Sequence, residues 1–390
     1  MKKKVVILLV AMLTIMSMGL IGCKKSAELT IPIGLNVELT GGLPVVGASC
    51  KNAALLAVKE VNDTGGLDIG GKKYTIKLLI EDNGYKSDQA VAVTQKLITQ
   101  DNVVAMVGPN ASVMAVPASE IAESSKVPMI SPWSTNPNTT IDSKTGQPKK
   151  YVFRACFIDT FQAQIDAKFA WEKLGARRVA ILYDVANDAF VGQSKFFKET
   201  FEKMGGKIVA FETYTTGDKD FSAQFTKIKQ SNPDLIFLPS MYNEAPIQIK
   251  QAHALGIRVP FLGTDGWASE EMCKLGGEDV EGCYFSGHYA PDIATPTAQK
   301  FIANYKATYG MVPDDVAALT YDAFGLLFEA LKTAGKVDRQ AVRDALASIP
   351  HYEGVTGTFQ FKEGSGDPIK SAVMLQIKGG KFVYYATEQP

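Results

Sequence analysis

The feature that most narrows what this chain can become is a rhythm that runs once and then restarts. From Leu29 onward, short apolar runs alternate with amphipathic stretches, and after Tyr151 the same alternation begins again. "LTIPIGLNV" predicts a strand. "NAALLAVKEV" then sets Ala54, Ala57, Val58 and Val61 on one helical face, until "NDTGG" stops it with turn residues. "YTIKLLIED" alternates Tyr74, Ile76, Leu78 and Ile80, the period of a strand. "SDQAVAVTQKLI" opens on a Ser/Asp cap and repeats Ala90, Thr94, Leu97 and Ile98 as a helix. "VVAMVG" and "VPMIS" are continuous apolar runs of the kind buried on both faces. Such a β-α-β-α-β series predicts a parallel sheet with right-handed crossovers.

The second half repeats the scheme. "RRVAILYD", "KIVAFETY", "DLIFLPS" and "VPFLGTDG" read as strands, separated by the helical stretches "GQSKFFKETFEKMGG", "DFSAQFTKIKQ" and "NEAPIQIKQAHALG". Two further helical patterns follow residue 290, and the tail "TGTFQFKEGSGDPIKSAVMLQIKGGKFVYY" predicts paired strands with glycine turns. The expected class is α/β, with two doubly wound parallel-sheet units. A chain of 390 residues that is 46% apolar can bury two such cores.

Charge excludes one class of partner. Lys+Arg and Asp+Glu both number 41, so the basic stripe that would displace counterions from a nucleic acid is missing. The N-terminus reads as an export signal: "MKKK" supplies positive charge, "VVILLVAMLTIMSMGLIG" is apolar, and "CKKS" returns to polarity. Val5 to Gly22 is also of borderline length for a membrane anchor, but Leu20, Ile21, Gly22 and Cys23 resemble the bacterial lipobox. That resemblance implies a signal peptide over 1–22, lipidation of Cys23 and a tether over 23–28. Each buried methylene of an acyl anchor contributes ~0.8 kcal/mol. Of the other cysteines, Cys273 and Cys283 flank a glycine-rich loop. A bridge between them and four separate thiols (Cys50, Cys156, Cys273, Cys283) are both open readings, and no metal-like spacing occurs.

The loop "LTGGLPVVGASC" joins a predicted strand to a predicted helix, where phosphate is often cradled. It lacks both the G-x-G-x-x-G spacing and the P-loop Lys-Ser/Thr pair, so its glycines are read as turn formers that project Pro44, Val45 and Val46. In open α/β sheets, ligands sit beyond the carboxyl ends of the strands. Those positions carry Ser112, then Trp133, Ser134 and Thr135, and in the second unit Asp265. Hydroxyls on one wall facing a carboxylate on the other complement a dipolar ion. Each residue also has a plainer reading: Ser112 as a helix N-cap, Ser134 and Thr135 as turn formers before Asn136-Pro137, and Asp265 as half of an Asp-Gly turn. An enzyme is disfavoured, since there is no G-x-S-x-G or H-E-x-x-H motif and His253, His288 and His351 have no partners in the pattern.

"LTGGLPVVG", "GPNASVMAVPAS", "VPMISPWSTNP" and "FLGTDGW" resemble the ligand loops of the branched-chain amino-acid binding proteins, type I periplasmic binding proteins that feed ATP-driven importers. The likeness extends over about residues 29–384. It implies two lobes, 29–157 plus 290–360 and 158–289 plus 361–390, joined by a hinge of three crossovers near Ala155–Thr160, near Gly287–Pro291 and before the last strands. It implies that Ser112, Ser134, Thr135 and the backbone of Trp133 hold a ligand carboxylate, and that Asp265 takes the ammonium. Val46, Phe190, Tyr242 and Trp267 would line the side-chain pocket. Val46 replaces a common aromatic, and the usual pocket tyrosine falls at Ala189, beside Phe190. The implied protein is an extracytoplasmic, lipid-anchored monomer without cofactor or metal that hands an amino acid, branched-chain first, to the membrane permease of an ABC importer. The alternative is a sensor or transport receptor for amides or other small organic acids. A repressor on the same fold would need a helix-turn-helix where the export signal stands.

Overall fold

A computed structural model of the protein describes residues 29–389. The expected signal peptide (1–22), the tether (23–28) and the lipidation site Cys23 lie outside the described residues. The chain begins with β1 (Thr30–Val37), α1 (Pro44–Asp63), β2 (Leu67–Ile69), β3 (Lys72–Asp82), α2 (Ser87–Thr99), β4 (Ala105–Val107), α3 (Ser112–Ser124), β5 (Met129–Ser131) and β6 (Val152–Arg154). These strands form one sheet in the order β2-β3-β1-β4-β5-β6, parallel except for β2. β1 is central because Ile31, Ile33, Leu35 and Val37 are all fully buried. Burying each such side chain contributes roughly 1.5–3 kcal/mol. The glycine loop after β1 serves close backbone approach: Gly41 takes φ +83°, and a Cβ at Gly47 would lie 2.0 Å from the carbonyl oxygen of Glu38. α1 enters with Pro44 in its first turn, where the missing N–H costs nothing.

The second lobe follows: α4 (Asp159–Glu172), β7 (Arg178–Asp184), α5 (Asp188–Lys203), β8 (Lys207–Tyr214), α6 (Ser222–Ser231), β9 (Leu235–Phe237), α7 (Ala245–Ala254), β10 (Phe261–Gly263), α8 (Glu270–Gly276) and β11 (Tyr284–Gly287). The chain then returns to the first lobe with α9 (Pro296–Tyr309), α10 (Asp315–Ala334) and α11 (Arg339–Ala347), and α10 packs on α1 and β4. α10 is buried on nearly every face, from Val316 and Leu319 to Phe324, Leu327 and Leu331, as its uniformly apolar sequence requires. A small antiparallel sheet of β12 (Tyr352–Gly354), β13 (Gly357–Phe361) and β14 (Pro368–Ile369) precedes β15 (Ala372–Lys378) and β16 (Lys381–Glu388). The second sheet runs β16-β15-β11-β10-β9-β7-β8, its last-added strands antiparallel.

Two expectations are corrected here. The final return to the second lobe was expected at 361, but the Arg154 amide donates to the carbonyl of Gly366 (3.0 Å) and the Arg154 guanidinium pairs with Asp367 (2.7 Å). Strand pairing therefore keeps β14 with the first lobe, and the crossing falls between Ile369 and Ala372. The tail's strands share one alternating pattern, so their sequence holds nothing that divides them between two sheets. The 273–283 bridge is not formed: Cys50, Cys156, Cys273 and Cys283 are all free thiols. Among the described residues no helix is long and apolar enough to cross a membrane.

Candidate ligand-binding site

A narrow, partly open cleft lies between the lobes. Its first wall comes from the start of α3 (Ala111, Ser112, Val113) and the loop after β5 (Trp133, Thr135). Its second wall comes from the start of α5 (Asn187, Ala189, Phe190, Gln193), Met241 after β9, and Asp265 with Gly266 after β10. Ser112, Thr135 and Asp265 are thus brought together on opposite sides of one space. α3 also packs against α5 across it, and the amide of Asp159 donates to the Thr135 carbonyl (2.9 Å).

The first wall is internally braced. Ser112 is the first helical residue, not the N-cap, and its hydroxyl caps nothing; it accepts from Ser134 Oγ (3.0 Å). The amides of Asn110 and Ala111 go to the buried Glu38 carboxylate, and those of Met114 and Ala115 close on the Ala111 carbonyl. The first-turn positions between them, Ser112 and Val113, stand at the cleft wall, where helix geometry favours an anion. Ser134 is fully buried behind Ser112, and its hydroxyl also meets Thr139 Oγ1 (2.6 Å). Arg154, wholly buried at the end of β6, donates to the carbonyls of Ser134 (2.5 Å) and Asn136 (2.9 Å) and to Thr140 (2.7 Å).

The second wall is rich in acceptors. Asp265 accepts from Gln162 Nε2 (2.9 Å), and its other oxygen lies 3.5 Å from His288 Nε2. Burial holds the His288 imidazole below its usual pKa against the pull of Asp265, and the ring stacks on Phe157 at 3.7 Å. Its neutral form leaves the Asp265 charge uncancelled. Gln193 Nε2 donates to Asp159 Oδ1 (3.0 Å) and to Gln162 Oε1 (2.8 Å). Burial pushes the Asp159 carboxyl up to about 7 against the pull of the Thr135 side chain, and the nearby charge of Asp265 adds to the rise. Burial likewise raises Asp166, deeper on α4, well above the carboxylate range. Among the described residues no group of His, Cys, Asp or Glu side chains is arranged to hold a metal ion.

A family described as "periplasmic binding protein" matches residues 30–381. The chain belongs to that family, in its branched-chain amino-acid branch. A leucine-binding protein LivK from Thermotoga maritima is 34% identical, covers 92% of this chain and 99% of its own, and superposes with a TM-score of 0.85. A branched-chain amino-acid transporter binding protein LivJ from Streptococcus pneumoniae, solved with isoleucine, is 36% identical over 93% and 99% of the two chains, with a TM-score of 0.84. A Leu/Ile/Val-binding protein homologue from Brucella abortus is 29% identical over 343 residues, 88% of this chain and 89% of its own.

Not every residue expected at the pocket of this periplasmic binding protein reaches it. Phe190 lines the cleft, whereas Val46, Tyr242 and Trp267 are not among its lining residues. Val46, in the first turn of α1, is spent on the hydrophobic core. Trp267 is fully buried beneath Gly263, where a Cβ would meet its ring at 2.2 Å, and beside Phe285. Tyr242 is buried, and the neighbouring Met241 takes the wall position. Asp159, Gln162, Gln193 and Arg154 were missed because they do not stand in strand-end loops. Asp159, Gln162 and Asp166 recur at i, i+3 and i+7 of α4, a polar stripe that ordinarily reads as solvated.

Proposed function

We propose that this periplasmic binding protein takes a small amino acid, branched-chain first, between its lobes and presents it to an ABC importer while anchored to the membrane through Cys23. The observation that carries the reading is the placement of Ser112 and Thr135 against Asp265 across one cleft, a donor wall facing an acceptor wall. The α-carboxylate meets the start of α3 and the hydroxyls of Ser112 and Thr135, with Ser134 held behind them. The ammonium meets Asp265. Ala189, Phe190 and Met241 contact the side chain. The leucine-binding and isoleucine-bound relatives support the same ligand class.

Asn187 and Gln193 at the cleft give a second reading, a ligand with an amide side chain, some specific support. A thermal-shift screen over the amino acids separates the two, since a ligand at a hundred times its Kd stabilises the protein by ~2.7 kcal/mol. A rise confined to leucine, isoleucine and valine is expected. Rises with amides alone would favour the second reading, and no rise with any amino acid would overturn both.

A further inference from the structure

A second pocket shares no lining residue with the cleft. It is partly open and holds about 540 Å³, within the span of small-molecule sites, and both lobes build it. The second lobe supplies Ala268 and Cys273, before and within α8, and Phe382 at the start of β16. The first supplies Val312 and Pro313 from the loop before α10, and Tyr289 follows β11 at the crossing between them. The chain next to these apolar walls stays apolar even in water: Leu275, Ile293 and Met311 are each about half exposed. The carboxylates of the lining are poorly met. Asp314 Oδ1 accepts from Ser49 Oγ (2.5 Å) and from the Ala317 amide (2.8 Å), but Oδ2 accepts nothing among the described residues. Asp315 divides one donor, the His288 amide, between its two oxygens (3.1 and 3.2 Å). Glu270 has Lys274 at 3.9 Å, and that ammonium lies closer to Glu271 (2.9 Å). Burial raises the carboxyls of Asp314 and Asp315, and the charge of Glu270 adds to the rise at Asp314. Among the described residues no cationic side chain pairs with either aspartate, and Lys381, on the turn into β16, pairs with no carboxylate.

Apolar walls beside under-served carboxylates complement a cation carried on an apolar body. We propose that this pocket is a second binding site, for a small organic ammonium with an aromatic or alkyl body. Its N–H donors meet Asp314 Oδ2 and Glu270, and its body lies against Tyr289, Val312 and Phe382. A neutral molecule of the same shape lacks the charge that these oxygens need. An anion finds only Lys381 and is repelled by the carboxylates. The site stands apart from the amino-acid reading of the cleft. An occupant touches both lobes, so a small molecule bound here biases their relative position from outside the cleft.

Cys273 gives a local readout, because it lines the pocket and is partly exposed while Cys50, Cys156 and Cys283 are buried. The test is the rate of its alkylation by N-ethylmaleimide, followed by peptide mass spectrometry, with 4-phenylbutylamine, 4-phenylbutanol and 4-phenylbutyrate as probes. The amine is expected to slow labelling at least fivefold, with half-protection at about a millimolar or below. The alcohol and the acid should need about tenfold more. Asp314→Asn keeps an oxygen for Ser49 and for the α10 cap, and it should raise the amine's half-protection about fivefold while leaving the alcohol's unchanged. Asp265→Ala, in the cleft, should leave the amine's protection as in wild type. The proposal is overturned if the amine gives no protection, if the three probes protect alike, or if Asp314→Asn responds as wild type does. Protection lost in Asp265→Ala would put the amine in the cleft and overturn it too. If Asp314→Asn does not fold, the comparison of amine, alcohol and acid on wild type decides alone.

Discussion

The two walls of the cleft solve the same problem in opposite ways. The hydroxyls of the first wall arrive satisfied: Ser112, Ser134 and Thr139 share hydrogen bonds, the buried guanidinium of Arg154 ties the Ser134 carbonyl to Asp367 near β14, and of the cleft-facing side chains here only Trp133 Nε1 lacks a partner among the described residues. The second wall arrives unsatisfied, with Asp159 and Gln193 each holding an orphan acceptor and Asp265 beside a neutral His288. One wall is a rigid mould for an anion, and the other is an uncompensated charge that a cationic ligand completes. The difference teaches where each kind of mutation should register: in the fold for the first wall, in affinity for the second.

The largest effect is expected from Arg154→Met. Removing one member of a buried, hydrogen-bonded ion pair costs about 3–5 kcal/mol. Here it also takes one donor each from the Asp367 carboxylate, which keeps Thr140 Oγ1, and from the carbonyls of Ser134 and Asn136. Denaturant unfolding of the ligand-free protein should show that loss. A loss under about 1 kcal/mol would mean that the first wall is not braced as described.

Asp265→Ala should invert the pattern. Leucine affinity should fall about a hundredfold, within the roughly 2–5 kcal/mol cost of leaving a charged partner unpaired. Ligand-free stability should move by about 1 kcal/mol or less, because loss of the Gln162 hydrogen bond is offset by removal of a charge facing Asp159. Unchanged affinity by calorimetry would break the comparison outright.

A third prediction concerns pH. The Asp159 carboxyl is raised to about 7 in the folded protein from its usual value near 3.8, so the folded state holds a proton that the unfolded state gives up. Stability attached to that proton is present below about pH 4 and is lost as pH rises through 7. Between pH 5 and pH 7 ligand-free wild type should lose about 2 kcal/mol relative to Asp159→Asn in paired denaturant titrations. Parallel curves for the two proteins would show that Asp159 does not titrate in this window.

Much of this was legible in the chain itself. Strand and helix periods predicted both sheets, and strand-end positions singled out Ser112, Trp133, Ser134, Thr135 and Asp265, of which all but the buried Ser134 line the cleft. Periodicity reports which face of an element is apolar. It cannot say which aromatic fills a gap in the core, so Trp267 and Tyr242 were placed at a pocket when packing had claimed them. Nor can it see a polar stripe turned inward. Asp159, Gln162 and Asp166 look solvated in "DTFQAQIDAKFA" and are buried only because the hinge lays α4 against both β11 and α5.

Ser112→Ala probes the comparison most gently. The hydroxyl accepts from Ser134, which keeps Thr139 as a partner, so the fold should lose little. The ligand's carboxylate would lose one donor while the helix-start amides remain, and a single hydrogen bond to a charged group is worth about 1.5–3 kcal/mol, toward the lower end where neighbouring donors persist. Affinity should therefore fall about tenfold, and equally at pH 6 and pH 7.5, because nothing on the first wall exchanges a proton with the ligand. A pH-dependent loss in this variant would mean that the two walls are electrostatically coupled through the ligand, and the division between mould and charge would have to be redrawn.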